Sequence, residues 1–219
     1  MFDFLSKVRY YLWASYRRRL LDSLQEKYRK LYRGVVFDIG GRDRGKFEKP
    51  KTEVDKWVFV DIVKDHKPDL LLDVSNMEGV KSETVDVVNA IELFEHVYDI
   101  ELGLKEVFRV LKGGGHAILS APFIHPIHAD PDDFQRWTEY KWGAELKKVG
   151  FDSIEIIKMG GYFAVLADML KTGLKNFPKP INYFFYIFYP GLEILFRLDR
   201  VSKFLDSYTT GYFIVVKKS

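Results

Sequence analysis

Up to Gly34 the apolar positions recur every three to four residues. Leu5, Val8, Tyr11 or Leu12, Tyr16, Leu20, Leu24, Tyr28 and Leu31 fall on one helical face over residues 4–32. Arg17, Arg18, Arg19 and Arg29 fall largely on other faces, and Gly34 ends the pattern. Beyond it, short apolar runs alternate with amphipathic segments. The runs GVVFDIG, WVFVDIV (Trp57 to Val63), DLLLDV (Asp69 to Val74) and VDVVNAI (Val85 to Ile91) predict the first four strands. Leu104, Val107, Val110 and Leu111 share a face of the helix that follows. A glycine cap at Gly113 to Gly115 then leads into the fifth strand. A further helix is capped by Thr138 and stopped by Gly150. FDSIEIIKM and GYFIVVKKS supply the sixth and seventh strands.

Strands alternating with helices imply right-handed crossovers and a mainly parallel sheet. The expected fold is α/β, with helices on both faces of a Rossmann-like sheet. An N-terminal helix (1–33) precedes a main domain (34–219), which carries an aromatic-rich helical insertion at 162–205. In such a sheet a ligand sits at the carboxyl ends of the strands.

Composition narrows the classes. The chain has 219 residues, 47% of them hydrophobic and 30% charged, which fits a folded domain. It has no cysteine, so disulfide frameworks, thiolate zinc sites and thiol nucleophiles are excluded. The net charge of +3 does not indicate a general nucleic-acid binder. Residues 1–33 nevertheless carry nine Lys/Arg against three acids, which marks a basic arm. The N-terminus lacks the apolar core of a signal peptide. The apolar run Ile181 to Leu198 is interrupted by Asn182, Pro190, Gly191, Glu193 and Arg197, a poor membrane span. The expected location is cytoplasmic.

The residues after each strand carry the chemistry. Asp38-Ile39-Gly40-Gly41 follows the first strand, and its glycines let a ligand approach the backbone. Asp61, at the tip of the second, suits the two hydroxyls of a ribose. Asp73 at the third can face an adenine amino group, and Glu92, Glu95, His96 and Val97 follow the fourth. Singly, each of these acids also suits a helix cap or a turn. Together they describe an adenosine site.

With these residues, the run from Gly34 to Phe151 resembles the class I S-adenosylmethionine-dependent methyltransferases of the type 11-like subgroup. The glycine motif stands here as FDIGGRDRG. The longer match is the stretch Val85 to Phe123, with its E-x-x-E-H-V segment, the helix end Arg109 to Lys112 and the glycine turn. The family's sheet ends in an antiparallel seventh strand. The resemblance implies S-adenosylmethionine as cofactor. It implies that Asp38, Ile39, Gly40 and Gly41 hold the methionine end, Asp61 with Ile62 the ribose, and Asp73 with Val74 the adenine side. Ala90 and Ile91 would line the cofactor with their backbone. Arg42 and Arg44 stand where the family commonly has glycine, so the loop turns one place earlier, at Gly41, and Arg42 lies near the cofactor carboxylate.

The loop after the fifth strand holds His125, His128, Asp133 and Arg136. Its spacing resembles a subgroup associated with cell-surface saccharide genes. Either histidine could take a proton from a hydroxyl acceptor. Asp133 either orients the histidine or pairs with Arg136. The spacing selects no metal site from His125, His128 and an aspartate, so none is assigned. The expected partner is a small-molecule or saccharide- or lipid-linked acceptor rather than a specific nucleic acid. The aromatic run Tyr183 to Tyr189 caps the pocket, forms a homodimer face, contacts a membrane peripherally, or packs on the other helical parts. Two rivals stand beside the methyltransferase reading. A nicotinamide oxidoreductase conflicts with Arg42 in the glycine fingerprint. A non-catalytic relative would serve as a binding module.

Overall fold

The computed structural model describes residues 10, 11, 14–41, 45–174, 178 and 195–219. The aromatic run at 183–189, Arg42 and Arg44 lie outside them. Seven strands form one sheet: β1 (Gly34–Ile39), β2 (Val54–Asp61), β3 (Leu70–Leu71), β4 (Val85–Ile91), β5 (Leu111–Pro122), β6 (Ser153–Lys158) and β7 (Gly211–Lys217). Their order is β3-β2-β1-β4-β5-β7-β6. β7 runs antiparallel to both its neighbours, and the other pairings are parallel.

Alternation along each strand sends side chains to two cores. On one face Val88, Leu119 and Ile214 pack with Leu104, Val107 and Val110 of α2 (Ile100–Val110) and with Trp142 and Leu146 of α3 (Glu139–Val149). On the other face Val36, Val87, Ile118 and Phe213 pack with Leu21 of α1 (Tyr16–Lys27). α4 (Tyr162–Leu174) contacts α1, and the short α5 (Lys203–Asp206) precedes β7.

Thr138 caps α3 by accepting from the Lys141 N–H, and Gly150 ends it at φ 115°, as the sequence predicts. Three expectations are corrected. The N-terminal helix is not continuous: Tyr10 and Tyr11 are helical, the chain leaves the helix at residues 14–15, and a helix begins again at Tyr16, where the Ser15 hydroxyl accepts from the Arg18 N–H and the Asp168 carboxylate receives the Tyr16 and Arg17 N–H groups. The third strand shrinks to Leu70–Leu71 at the sheet edge, because Asp73 turns the chain by accepting from the Ser75 N–H. Gly113 to Gly115 do not cap α2; they lie inside β5, where the pairing with β4 shifts register. A Cβ at Gly115 would fall 2.9 Å from the Lys112 carbonyl and 3.0 Å from that of Asp86, so close backbone approach explains glycine there.

Candidate active site

The strand order reverses between β2-β1 and β4-β5, which opens a crevice beyond the carboxyl end of β1. A cleft of about 1130 Å³ lies there. Its lining includes Asp38, Ile39, Gly40, Gly41, Asp61, Ile62, Asp73, Val74 and Ile91. Register explains the convergence: Asp38 pairs with Phe59 of β2 and Asn89 of β4, so three strand tips meet at one level.

Asp38 is 2% exposed and held from two sides. The Asn89 amide donates to its Oδ1 at 2.6 Å, and the Lys49 ammonium lies 2.8 Å from its Oδ2. The Tyr32 hydroxyl in turn donates to the Asn89 Oδ1 at 2.8 Å. Gly40 adopts φ 65°, and a Cβ on Gly41 would lie 2.1 Å from the Asp38 carboxylate. The turn therefore has room for a ligand only because both residues lack side chains. Asp61 accepts from the Val63 N–H at 2.8 Å, and its other oxygen lies 2.9 Å from Nδ1 of His66. Asp73 is exposed at the opposite side of the cleft. The Ala90 side chain is fully buried in the core, while alternation along β4 points Asn89 and Ile91 to the cleft.

The loop after β5 brings the four acceptor-side residues together. Arg136 forks onto Asp133, with Nη2 to Oδ2 at 2.6 Å and Nη1 on Oδ1. This pair holds the Asp133 carboxyl down at about 2, chiefly through the arginine hydrogen bonds. Asp133 also accepts from the backbone N–H of His128 at 2.9 Å, and its Oδ2 lies 3.5 Å from the His128 Nδ1, so it pins the loop and faces the imidazole. The rings of His125 and His128 meet edge to face at 5.3 Å, and those of His96 and His128 at 5.2 Å. Burial, then the nearby Arg17, pushes His125 down to about 3. Burial also lowers His128. Both imidazoles are neutral near pH 7.

Sequence reasoning missed Arg17, Lys49, Asn89 and the role of Glu95. Arg17 is buried, and its guanidinium pairs with Glu92, which also accepts from the Ser120 hydroxyl at 2.9 Å. Burial, then Arg18, lowers Arg17 to about 10, which leaves it charged at neutral pH. The signal was present: Arg17, Leu21 and Gln25 are four residues apart, and all three are buried. Asn89 sits on the cleft side of β4, a position that alternation assigns once the sheet order is known.

Solved structures share this fold. A SAM-dependent methyltransferase from Archaeoglobus fulgidus aligns at 17% identity and TM-score 0.60, covering 92% of this chain and 94% of that one. Phosphoethanolamine N-methyltransferase 2 from Haemonchus contortus, solved with S-adenosyl-L-methionine, aligns at 17% identity and TM-score 0.56. That match covers 91% of this chain and 52% of the larger protein. A putative methyltransferase from Bacillus halodurans aligns at 16% identity and TM-score 0.53, covering 91% and 98%. No curated protein matches the sequence. The sequence model of the family described as "Methyltransferase domain" matches residues 55–119, from β2 into β5.

Residues 55–119 match a methyltransferase domain, and the sheet has the fold of S-adenosylmethionine-dependent methyltransferases. The cleft suits S-adenosylmethionine. A turn without Cβ atoms adjoins a buried acid at the end of β1, and a second acid stands at the tip of β2. Among the described residues, no helix is long and apolar enough to cross a membrane.

Proposed function

We propose that this chain is an S-adenosylmethionine-dependent methyltransferase that modifies a hydroxyl of a small-molecule or saccharide- or lipid-linked acceptor. The observation that supports this reading is the loop of His125, His128, Asp133 and Arg136 beside a cleft walled by strand-end acids. When bound, S-adenosylmethionine supplies an electrophilic methyl group on a sulfonium. In this reading Asp38, Gly40 and Gly41 hold its methionine end, Asp61 its ribose and Asp73 with Val74 its adenine side. The Asp133–Arg136 fork fixes the loop, and the neutral imidazoles of His125 and His128 stand ready to take the acceptor proton. A hydroxyl needs such a proton acceptor, because its methylated oxygen would otherwise be a strongly acidic oxonium, whereas a neutral amine gives a stable ammonium.

Two measurements test the reading. Calorimetry with S-adenosylhomocysteine should show binding that Asp61→Ala weakens at least about tenfold, the scale of two lost ribose hydrogen bonds at about 1 kcal/mol each. Unchanged affinity would refute the ribose assignment. Methyl-labelled cofactor offered with hydroxyl-bearing saccharides and lipid-linked saccharides should yield base-stable ethers. Label appearing only on amines, or on none of the acceptors, would refute the hydroxyl assignment.

A further inference from the structure

Beside the cleft, Glu95, His96 and His128 bring one carboxylate and two imidazoles together, with their ligand atoms all within 4.8 Å of one another. Glu95 is 1% exposed, and neither carboxylate oxygen accepts a hydrogen bond from another residue. The neighbouring charges do not supply a partner. Arg17 is bonded to Glu92 and Arg136 to Asp133; they reach Glu95 only through space, which does not offset the cost of its burial. A lone buried carboxylate is costly unless it is protonated or meets a cation.

The two histidines are held for a particular task. Nδ1 of His96 bonds the Asp132 carbonyl, and Nδ1 of His128 bonds the Pro126 carbonyl at 3.2 Å. A carbonyl only accepts, so each Nδ1 carries a hydrogen, and on each ring Nε2 is the nitrogen left to act as a ligand. Those two nitrogens lie 3.7 and 3.9 Å from the same oxygen, Oε1 of Glu95. The separations are too long for hydrogen bonds. They are slightly wider than the about 3.4 Å that ligand bonds of about 2.1 Å at a tetrahedral ion would give. Carbonyl-anchored imidazoles are the usual outer support of a metal centre.

We propose that Glu95, His96 and His128 bind one divalent first-row transition-metal ion at the rim of the cofactor cleft. Mixed imidazole and carboxylate donors suit zinc, manganese or ferrous iron better than magnesium or calcium. Three protein ligands leave at least one position open, and His96 lines the cleft, so that position is offered to a ligand in it. An oxygen ligand fits, which deepens the hydroxyl reading and rests on it: the ion would hold the acceptor oxygen. His128 then serves as a ligand, and proton removal passes to His125 or to solvent.

The test uses the untagged full chain, stripped with chelator and titrated calorimetrically with Mn²⁺ and with Zn²⁺. One ion per chain is expected for at least one of the two metals. Affinity should fall by more than about tenfold in Glu95→Gln and in His128→Asn, since loss of even an outer-shell partner costs about that much. Binding of S-adenosylhomocysteine, measured on the same samples, checks that each variant is folded. Should buried Glu95→Gln lose its fold, His128→Asn on the loop decides alone. No saturable uptake by the wild type, or equal uptake by His128→Asn, overturns the metal site. If S-adenosylhomocysteine still binds in that case, the methyltransferase reading stands without the ion.

Discussion

Replacing Arg17 with Met tests whether the buried Arg17–Glu92 pair ties the N-terminal helix to the sheet. The Arg17 and Glu92 side chains are each 9% exposed, so the pair is largely out of water. Removing one partner of such a pair costs about 3–5 kcal/mol, because the remaining charge stays buried. The Ser120 hydroxyl still donates to Glu92, which favours the lower end of that range. Each kcal/mol moves the melting temperature by about 2–4 °C in a chain of this size, so a drop of about 6–20 °C is expected. Met keeps the length and apolar contact of the arginine stem, and the backbone bond from Arg17 to Asp168 is untouched. The Arg17→Met/Glu92→Gln double variant should recover part of the loss, with a coupling of about 1–3 kcal/mol. Calorimetric melts of the four proteins provide the cycle. A single variant that melts within about 2 °C of wild type, less than 1 kcal/mol, would refute the pair's importance. So would a strictly additive double variant.

Other expectations follow from named contacts. Gly41→Ala should abolish most cofactor affinity and lower the melt as well, because the new Cβ would collide with the buried Asp38 carboxylate; unaltered calorimetric affinity would argue against that turn as the cofactor cradle. Gly115→Ala should cost about 1–3 kcal/mol in urea unfolding, since its Cβ meets backbone rather than a movable side chain. His125 sits at about 3 in the fold against an ordinary 6.5. The unfolded chain therefore binds a proton below pH 6.5 that the folded chain refuses until near pH 3. Its contribution is intact above pH 6.5 and is lost progressively as pH falls through that window; His125→Asn should flatten this part of the stability curve, and an unchanged slope would count against the buried neutral ring.

Much of the fold was legible because its signals are local. Thr138 and Gly150 bracket α3 by their own chemistry, and β4 occupies the whole apolar run Val85–Ile91. The strand-end acids Asp38, Asp61 and Asp73 could be read because parallel strands place their tips in one crevice. What escaped depends on sequence-distant contacts. Arg17 reads as a surface residue until Glu92, seventy-five positions away, supplies its counter-charge. Glu95 and His96 stood in a quoted motif, but their meaning needs His128 from another loop. The glycines at 113–115 resemble a helix cap, and only the pairing with β4 and β7 makes them part of a strand.

The Lys49–Asp38 contact changes how cofactor entry is to be pictured. The strand-end carboxylate is already matched by an internal ammonium 2.8 Å away. If the methionine amino group takes that carboxylate, as proposed, association is an exchange of one cation for another rather than the filling of a bare anionic socket. Salt screens both partners alike, so added salt changes affinity little at this point. Selection then falls on molecules that carry their own ammonium: a thioether nucleoside lacking the amino acid part gives Lys49 no reason to leave. The segment carrying Lys49 would swing on each turnover, which couples product departure to the return of a residue that performs no chemistry.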